Sequence, residues 1–162
     1  MIYYEKGDIV IRDSEKEDIP PLANDMRKED SEEVWASSHM TPEVVFNVSF
    51  NISPICLTFL FRGEPIAMFG VNPDSLLSTS GVVWLLTTNK INQVKFRFLK
   101  LSRMFIQFFL RKYPHLYNFV DARHKLAVEW LKWCGAKLSD AQPFGIENKP
   151  FHYFVLEESK YV

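Results

Sequence analysis

Residues 81–88, Gly81-Val82-Val83-Trp84-Leu85-Leu86-Thr87-Thr88, put apolar side chains on both alternating faces. That pattern belongs to a strand covered on its two sides, not to one half in water. Such a strand predicts the centre of a sheet, so its neighbours in sequence decide the architecture. Upstream, 55–62 and 64–71 are rich in strand formers and meet at Arg62-Gly63, which reads as a hairpin, and Asn72-Pro73-Asp74 closes the pair. Downstream, the period changes from two to that of a helix over 93–113. At about 100° per residue, Arg97, Lys100, Arg103, Gln107 and Arg111 share one narrow stripe. Phe98, Leu99, Leu101, Phe105, Ile106, Phe109 and Leu110 are left on a wide apolar face that must lie against a sheet. Pro114 stops this helix, and Leu116 to Asp121 (LYNFVD) supplies another strand. A second covering helix over 125–134 has Ala127, Trp130 and Cys134 on one side and Gly135 in the position after its end, and 151–156 reads as the last strand.

The N-terminal third is helical after a short start. Asp8 to Arg12 is a β-branched run. From Glu15 to Lys28, Ile19, Leu22, Ala23 and Met26 recur at helical spacing, with Pro20 and Pro21 in a first turn, where their missing N–H groups cost little. Ser31, Glu32 and Glu33 open a second short helix through Trp35, and Thr41-Pro42-Glu43 caps a third leading into Val44 to Phe50. The expectation is one domain over 1–162, of α/β class with a central mixed β-sheet and helices on both faces.

Composition narrows the function classes. Fourteen Phe, four Trp and six Tyr make 15% aromatic residues, which predicts a core or partner surface built from large rings. A formal net charge of -1 argues against general nucleic-acid binding and against an anionic membrane surface, which need a concentrated basic excess. Cys56 and Cys134 are too few for a disulfide framework, lie in no metal-ligand spacing, and read as two buried free thiols. Acids precede any apolar run at the start, and no apolar stretch approaches the roughly 18 residues of a membrane span. The expected location is the cytoplasm.

The order strand, helices, hairpin with central strand, long helix, strand, helix, strand resembles the GNAT superfamily of N-acetyltransferases over nearly the whole chain. The opening IVIRDSEKEDIPPLANDMRKED is similar to the family's first strand and helix. The more specific segment is His124 to Ala136 (HKLAVEWLKWCGA), which keeps without gaps the family's spacing of Asn, Ala three residues on, an apolar-Tyr pair, and Gly-Phe after the helix. With WLLTT and VDARH, it is also similar to GNAT-like proteins of short-tailed bacterial viruses, some tied to virion morphogenesis.

The resemblance implies a V-shaped splay between two parallel strands, into which the pantetheine arm of acetyl-CoA or CoA inserts as co-substrate. It implies that the backbone of Leu85, Leu86, Thr87 and Thr88 orients the thioester, and that Asn89, Lys90, Asn92 and Gln93 meet the pyrophosphate. His124 stands at the pantetheine-contacting Asn position, and Ala127 keeps the helix close to the sheet. Glu64, His39 and Asp30 are the candidates for the base that takes a proton from the acceptor, a protein or small-molecule amine.

Two departures matter. Leu131 stands where the family's general-acid Tyr would be, and 87–95 contains no glycine where relatives cradle phosphate with a glycine-rich run. Two readings therefore stay open: an acyl-CoA-dependent N-acetyltransferase, phage-encoded, or a GNAT-fold phage protein without turnover that serves virion assembly or binds a host protein. A phage origin would place it in the host cytoplasm.

Overall fold

The chain forms β1 (Ile2–Lys6), β2 (Ile9–Asp13), α1 (Ile19–Asn24), α2 (Lys28–Ser38), α3 (Pro42–Ile52), β3 (Ile55–Phe61), β4 (Glu64–Pro73) and β5 (Ser80–Thr87). It continues with α4 (Lys95–Lys112), β6 (His115–Asp121), α5 (Lys125–Trp133), β7 (Lys137–Leu138), β8 (Gln142–Phe144) and β9 (Lys149–Glu157). The computed structural model describes residues 1–158. The strands make one sheet in the order β1-β2-β3-β4-β5-β6-β9-β7, with β8 on β9. Among the described residues, the β5–β6 junction is the one parallel pairing and all others are antiparallel. The expected class, a mixed sheet with helices on both faces, is what the chain adopts. Among the described residues no helix is long and apolar enough to cross a membrane.

Each face of the sheet has its own core. Beneath α4 and α5, Phe59, Phe69, Phe105, Phe109, Leu116 and Leu156 are buried together. Beneath α1 and α3, the packed set is Ile19, Leu22, Phe46, Met68 and Leu86. Trp84 and Leu86 thus point to one face and Val83 and Leu85 to the other, which is why residues 81–88 read as apolar on both sides.

Several elements depart from expectation for local reasons. The helix expected over 15–28 is a 3-10 turn at Lys16–Asp18 followed by α1, which stops at Asn24. Beyond it the chain runs out to seal the edge of β5, where Met26 bridges Thr88 and Arg27 N–H donates to Thr87 O at 2.8 Å. The long helix begins at Lys95, because Asn89–Val94 coils as a 3-10 turn. The edge strands β1, β7 and β8 carried too short a pattern to be seen in the sequence. The basic stripe of α4 is not simply solvated: Arg97 pairs with Asp8 at 2.7 Å, and the Arg103 guanidinium lies 3.5 Å from the Trp133 ring centroid. The two thiols are half-buried and free, and burial pushes Cys56 up to about 11.

The start of the chain is fixed by a buried carboxylate. Asp18, 3% exposed, takes both guanidinium N–H groups of Arg12 at 2.9 Å and the Thr58 hydroxyl at 2.8 Å. Replacing Arg12 with Met leaves that charge without its cation, and should lower stability by about 2–3 kcal/mol in urea unfolding.

Candidate site in the fork between two parallel strands

β5 and β6 pair over three residues, Ser80 with His115, Gly81 with Leu116 and Val82 with Tyr117, and then part. The parting has a visible cause. Asn118 Nδ2 donates to Val83 O at 2.8 Å, while its own Oδ1 accepts Phe119 N–H at 2.8 Å. One carboxamide thereby takes both the acceptor on β5 and the donor on β6 that the next rung would join.

The open ends are held by α2. Asp30 Oδ2 accepts Thr87 N–H at 2.9 Å and the Thr87 hydroxyl at 2.6 Å, and Glu33 Oε2 accepts Asp121 N–H at 3.2 Å. Asp30 and Glu33 are three residues apart and so share one helix face. One helix therefore bridges the tips of the two diverging strands. Alternation along β5 turns the Leu85 N–H and C=O the same way as those of Thr87, into the gap that β6 has left.

The gap opens into a cavity of about 710 Å³ lined from both sides of the sheet. Ala127, Trp130, Leu131 and Phe98 form its α4–α5 wall, and Asp30, Glu33, Val34, Val45 and Ser49 its α2–α3 wall. Asn92 and Lys95 stand at its rim, beside the start of α4, where Val94 provides no side-chain cap and no acid lies in the first turn. That leaves the positive end of the helix dipole uncompensated by side chains.

Each acid at the fork has a cation beside it. Arg27 lies 3.1 Å from Asp30, and Arg123 grips the fully buried Asp121. Burial pushes the Asp121 carboxyl up, but the Arg123 hydrogen bonds outweigh it and hold the group below the usual carboxylate range. His124 Nδ1 lies 3.3 Å from Glu33 Oε2, and that carboxylate raises the imidazole above its ordinary value against the opposing effect of burial.

The structure brings some of the expected residues here and not others. Leu85, Leu86, Thr87, Asn92 and Ala127 line the cavity, and Asp30 does too. His124 is next to it through Glu33. Thr88 is buried, with its N–H and hydroxyl both donated to Ile66 O at 2.9 Å. Asn89 and Gln93 are exposed on the 3-10 turn. Glu64 and Lys90, expected as a base and a phosphate contact, instead pair with each other at 2.5 Å on the surface, outside the cavity lining. His39 is also away from the cavity. It ends α2 in the left-handed conformation, φ 54°, its N–H on Trp35 O, its ring stacked on Trp35 and its Nε2 3.3 Å from Glu147. The sequence missed Glu33 as a site residue and Asn118 altogether. Glu33 stood only among the acids of a helix start, and nothing local marks one Asn as a wedge.

No protein-family model and no curated protein sequence matches the chain. Solved structures do. Spermidine N-acetyltransferase from Vibrio cholerae in complex with CoA and spermine superposes with a TM-score of 0.72 at 13% identity, covering 95% of this chain and 98% of that one. Ard1 from Thermoplasma volcanium gives 0.72 at 10% identity, covering 95% and 100%. The ribosomal-protein-S18-alanine N-acetyltransferase of Escherichia coli gives 0.67 at 12% identity, covering 95% and 98%. The fold is that of the GNAT N-acetyltransferases. At such identities the likeness concerns the GNAT fold, and chemistry has to be argued from the site.

The Glu33–His124 pair yields a titration. Because the imidazole is raised in the folded state, the pair stabilises the fold below the ordinary histidine value and loses that contribution as pH climbs through the raised one. NMR titration of the His124 ring should give a midpoint above 6.5, and Glu33→Gln should bring it down toward that value. An unchanged midpoint in the variant would show that Glu33 is not the cause.

Proposed function

We propose that the chain is an acyl-CoA-dependent N-acyltransferase that receives its thioester through the β5–β6 fork and an amine from the α2–α3 side. The observation that carries this is the fork itself: pairing stops after three residues, and the gap leads into a cavity walled by residues from both faces of the sheet. Two reactants can then approach one point from opposite sides, which supplies proximity.

The residues present fit a CoA thioester in two places and strain it in a third. The Leu85 N–H and C=O are free to meet the pantetheine arm as a strand partner would, and Ala127 leaves room beside them. The uncapped start of α4 with Lys95 and Asn92 suits phosphate. The strained place is the 3-10 turn, whose side chains keep an anion farther from the backbone than glycines would. A CoA thioester supplies an activated acyl carbon; all else falls to the chain. Glu33, a carboxylate in the α2 wall, takes the proton from the amine, and His124 holds it. Thr87 and Arg27 engage both oxygens of Asp30, whereas the contacts of Glu33 with Asp121 and His124 are both made through Oε2, so Glu33 is the better base. Buried Leu131 donates nothing, so the leaving thiolate is protonated by water.

A second reading keeps the fold without turnover, as a phage assembly protein or a binder of a host protein. Leu131 and the glycine-free turn favour it.

Thermal unfolding separates the two readings. Acetyl-CoA at about 100 times its Kd should stabilise the protein by roughly 2.7 kcal/mol. No shift at millimolar ligand would remove the enzyme reading. If the ligand binds, Glu33→Gln should cut turnover with an amine by about 10²–10⁴ while leaving acetyl-CoA binding intact.

A further inference from the structure

We infer that the acceptor is an arylalkylamine, a primary amine joined to an aromatic ring by a short saturated linker, whose ring lies against Trp84, Phe119 and Phe144 on the α2–α3 side of the fork. The inference rests on the N-acyltransferase reading and names the acceptor class for that same site.

Register places these rings. Val82 and Tyr117 form the last rung of the β5–β6 ladder. Side chains alternate along a strand, so Trp84 and Phe119, two residues beyond that rung, share its face and stand on opposite banks of the gap. Trp84 packs beside Phe46 and Met68, which makes this the face that α3 covers. Phe144 of β8 stacks on Phe119, with centroids 3.9 Å apart and planes 10° from parallel. All three rings line the cavity, and α3 adds Val45, Ser49 and Ile52 to the same wall. Phe105 and Phe109 beneath α4 are buried in the core, whereas Trp84, Phe119 and Phe144 keep part of their surface open and Ile52 is 50% exposed.

This wall is sorted by polarity. Its charged side chains on the α2–α3 side are Arg27, Asp30 and Glu33, all at the open tips of the strands. Nearer the last rung the polar groups are already used: Trp84 Nε1–H donates to Ser53 Oγ at 2.8 Å, and Ser37 Oγ donates to Val34 O at 3.0 Å. Glu33 accepts from Asp121 N–H, two residues past Phe119 on β6, a spacing of about 6–7 Å along the strand. A nitrogen at Glu33 and a ring at Phe119 are therefore joined by a linker of a few carbons. A polyamine places further ammonium groups beside the rings with no carboxylate to meet them. A plain alkylamine fills the space without ring–ring contact, which is worth about two- to tenfold in affinity. The step balances as acyl transfer: the nitrogen bonds to the acyl carbon as the C–S bond breaks, its proton passes to Glu33, and the thiolate takes one from water.

The test follows CoA thiol release from acetyl-CoA by the intact protein with 2-phenylethylamine, tryptamine, hexylamine and spermine. The value of kcat/KM should be about two- to tenfold higher for the two aromatic amines than for hexylamine, with spermine lowest. Hexylamine or spermine used as well as the aromatic amines would overturn the inference and leave the acyltransferase reading standing. Turnover of none of the four by protein that binds acetyl-CoA would likewise remove the arylalkylamine, and failure to bind acetyl-CoA would remove the reading beneath it. Phe119→Leu, which keeps an apolar side chain and removes the ring, should bring the phenylethylamine-to-hexylamine ratio toward one. Phe144→Leu, on the short strand β8, serves if the first variant fails to fold. A folded variant that keeps the full preference would show that the ring lies elsewhere.

Discussion

A strand that leaves its partner exposes backbone donors and acceptors, and in a partly buried place each must find another partner. The parting of β5 from β6 sets this demand, and the surrounding chain answers it group by group. Asn118 serves Val83 O and Phe119 N–H at the closed end. At the open end Asp30 serves Thr87 N–H, Arg27 N–H serves Thr87 O, and Glu33 serves Asp121 N–H. The groups of Leu85, between these two ends, face the gap.

This accounting explains the acids of α2. Read as the acids of a helix start, Glu32 and Glu33 are dipole partners at the first turn and little more, with Asp30 a candidate base just ahead of them. In the folded chain two of them are strand partners as well, and they fix the helix across the fork. Their charge would be costly there alone, so Arg27 and His124 stand beside them. A structural brace and a carboxylate of the cavity wall are consequently the same residue, Glu33, because a group that reaches the tip of β6 also faces the cavity.

The architecture was readable because its signals are periodic and local. The two-sided apolar run of 81–88, the single apolar face of α4 and the spacing around Ala127 each record burial directly in the order of residues. The same holds for the hairpin at Arg62-Gly63 and the cap at Thr41. The site was only half readable. The resemblance pointed to backbone positions on β5 and to Asp30, which line the cavity, but not to Glu33. Glu64 and His39 are candidates through the resemblance and by no spacing of their own; in the structure one pairs with Lys90 at the surface and the other ends α2. Glu33 and Asn118 act through partners 88 and 35 residues away, a separation that no window of sequence spans.

The far end of α2 is also fixed by distant residues. Its last carbonyls accept from the turn after β8: Glu147 N–H donates to Ala36 O and Ile146 N–H to Ser37 O, each at 3.1 Å. Gly145, at φ 74°, makes the approach feasible, since a Cβ there would fall 2.5 Å from Ser37 Cα. The helix that spans the fork is thus seated at one end by the strand tips and at the other by a segment more than a hundred positions later. β6 likewise gains its second neighbour only from β9. During synthesis from the N-terminus, the first two-thirds of the polypeptide can acquire its hairpins and α4 early. The second neighbour of β6 and the seat of α2, however, come only once these late segments have emerged from the ribosome, so a nascent chain has most of the secondary structure before it has these supports of the fork.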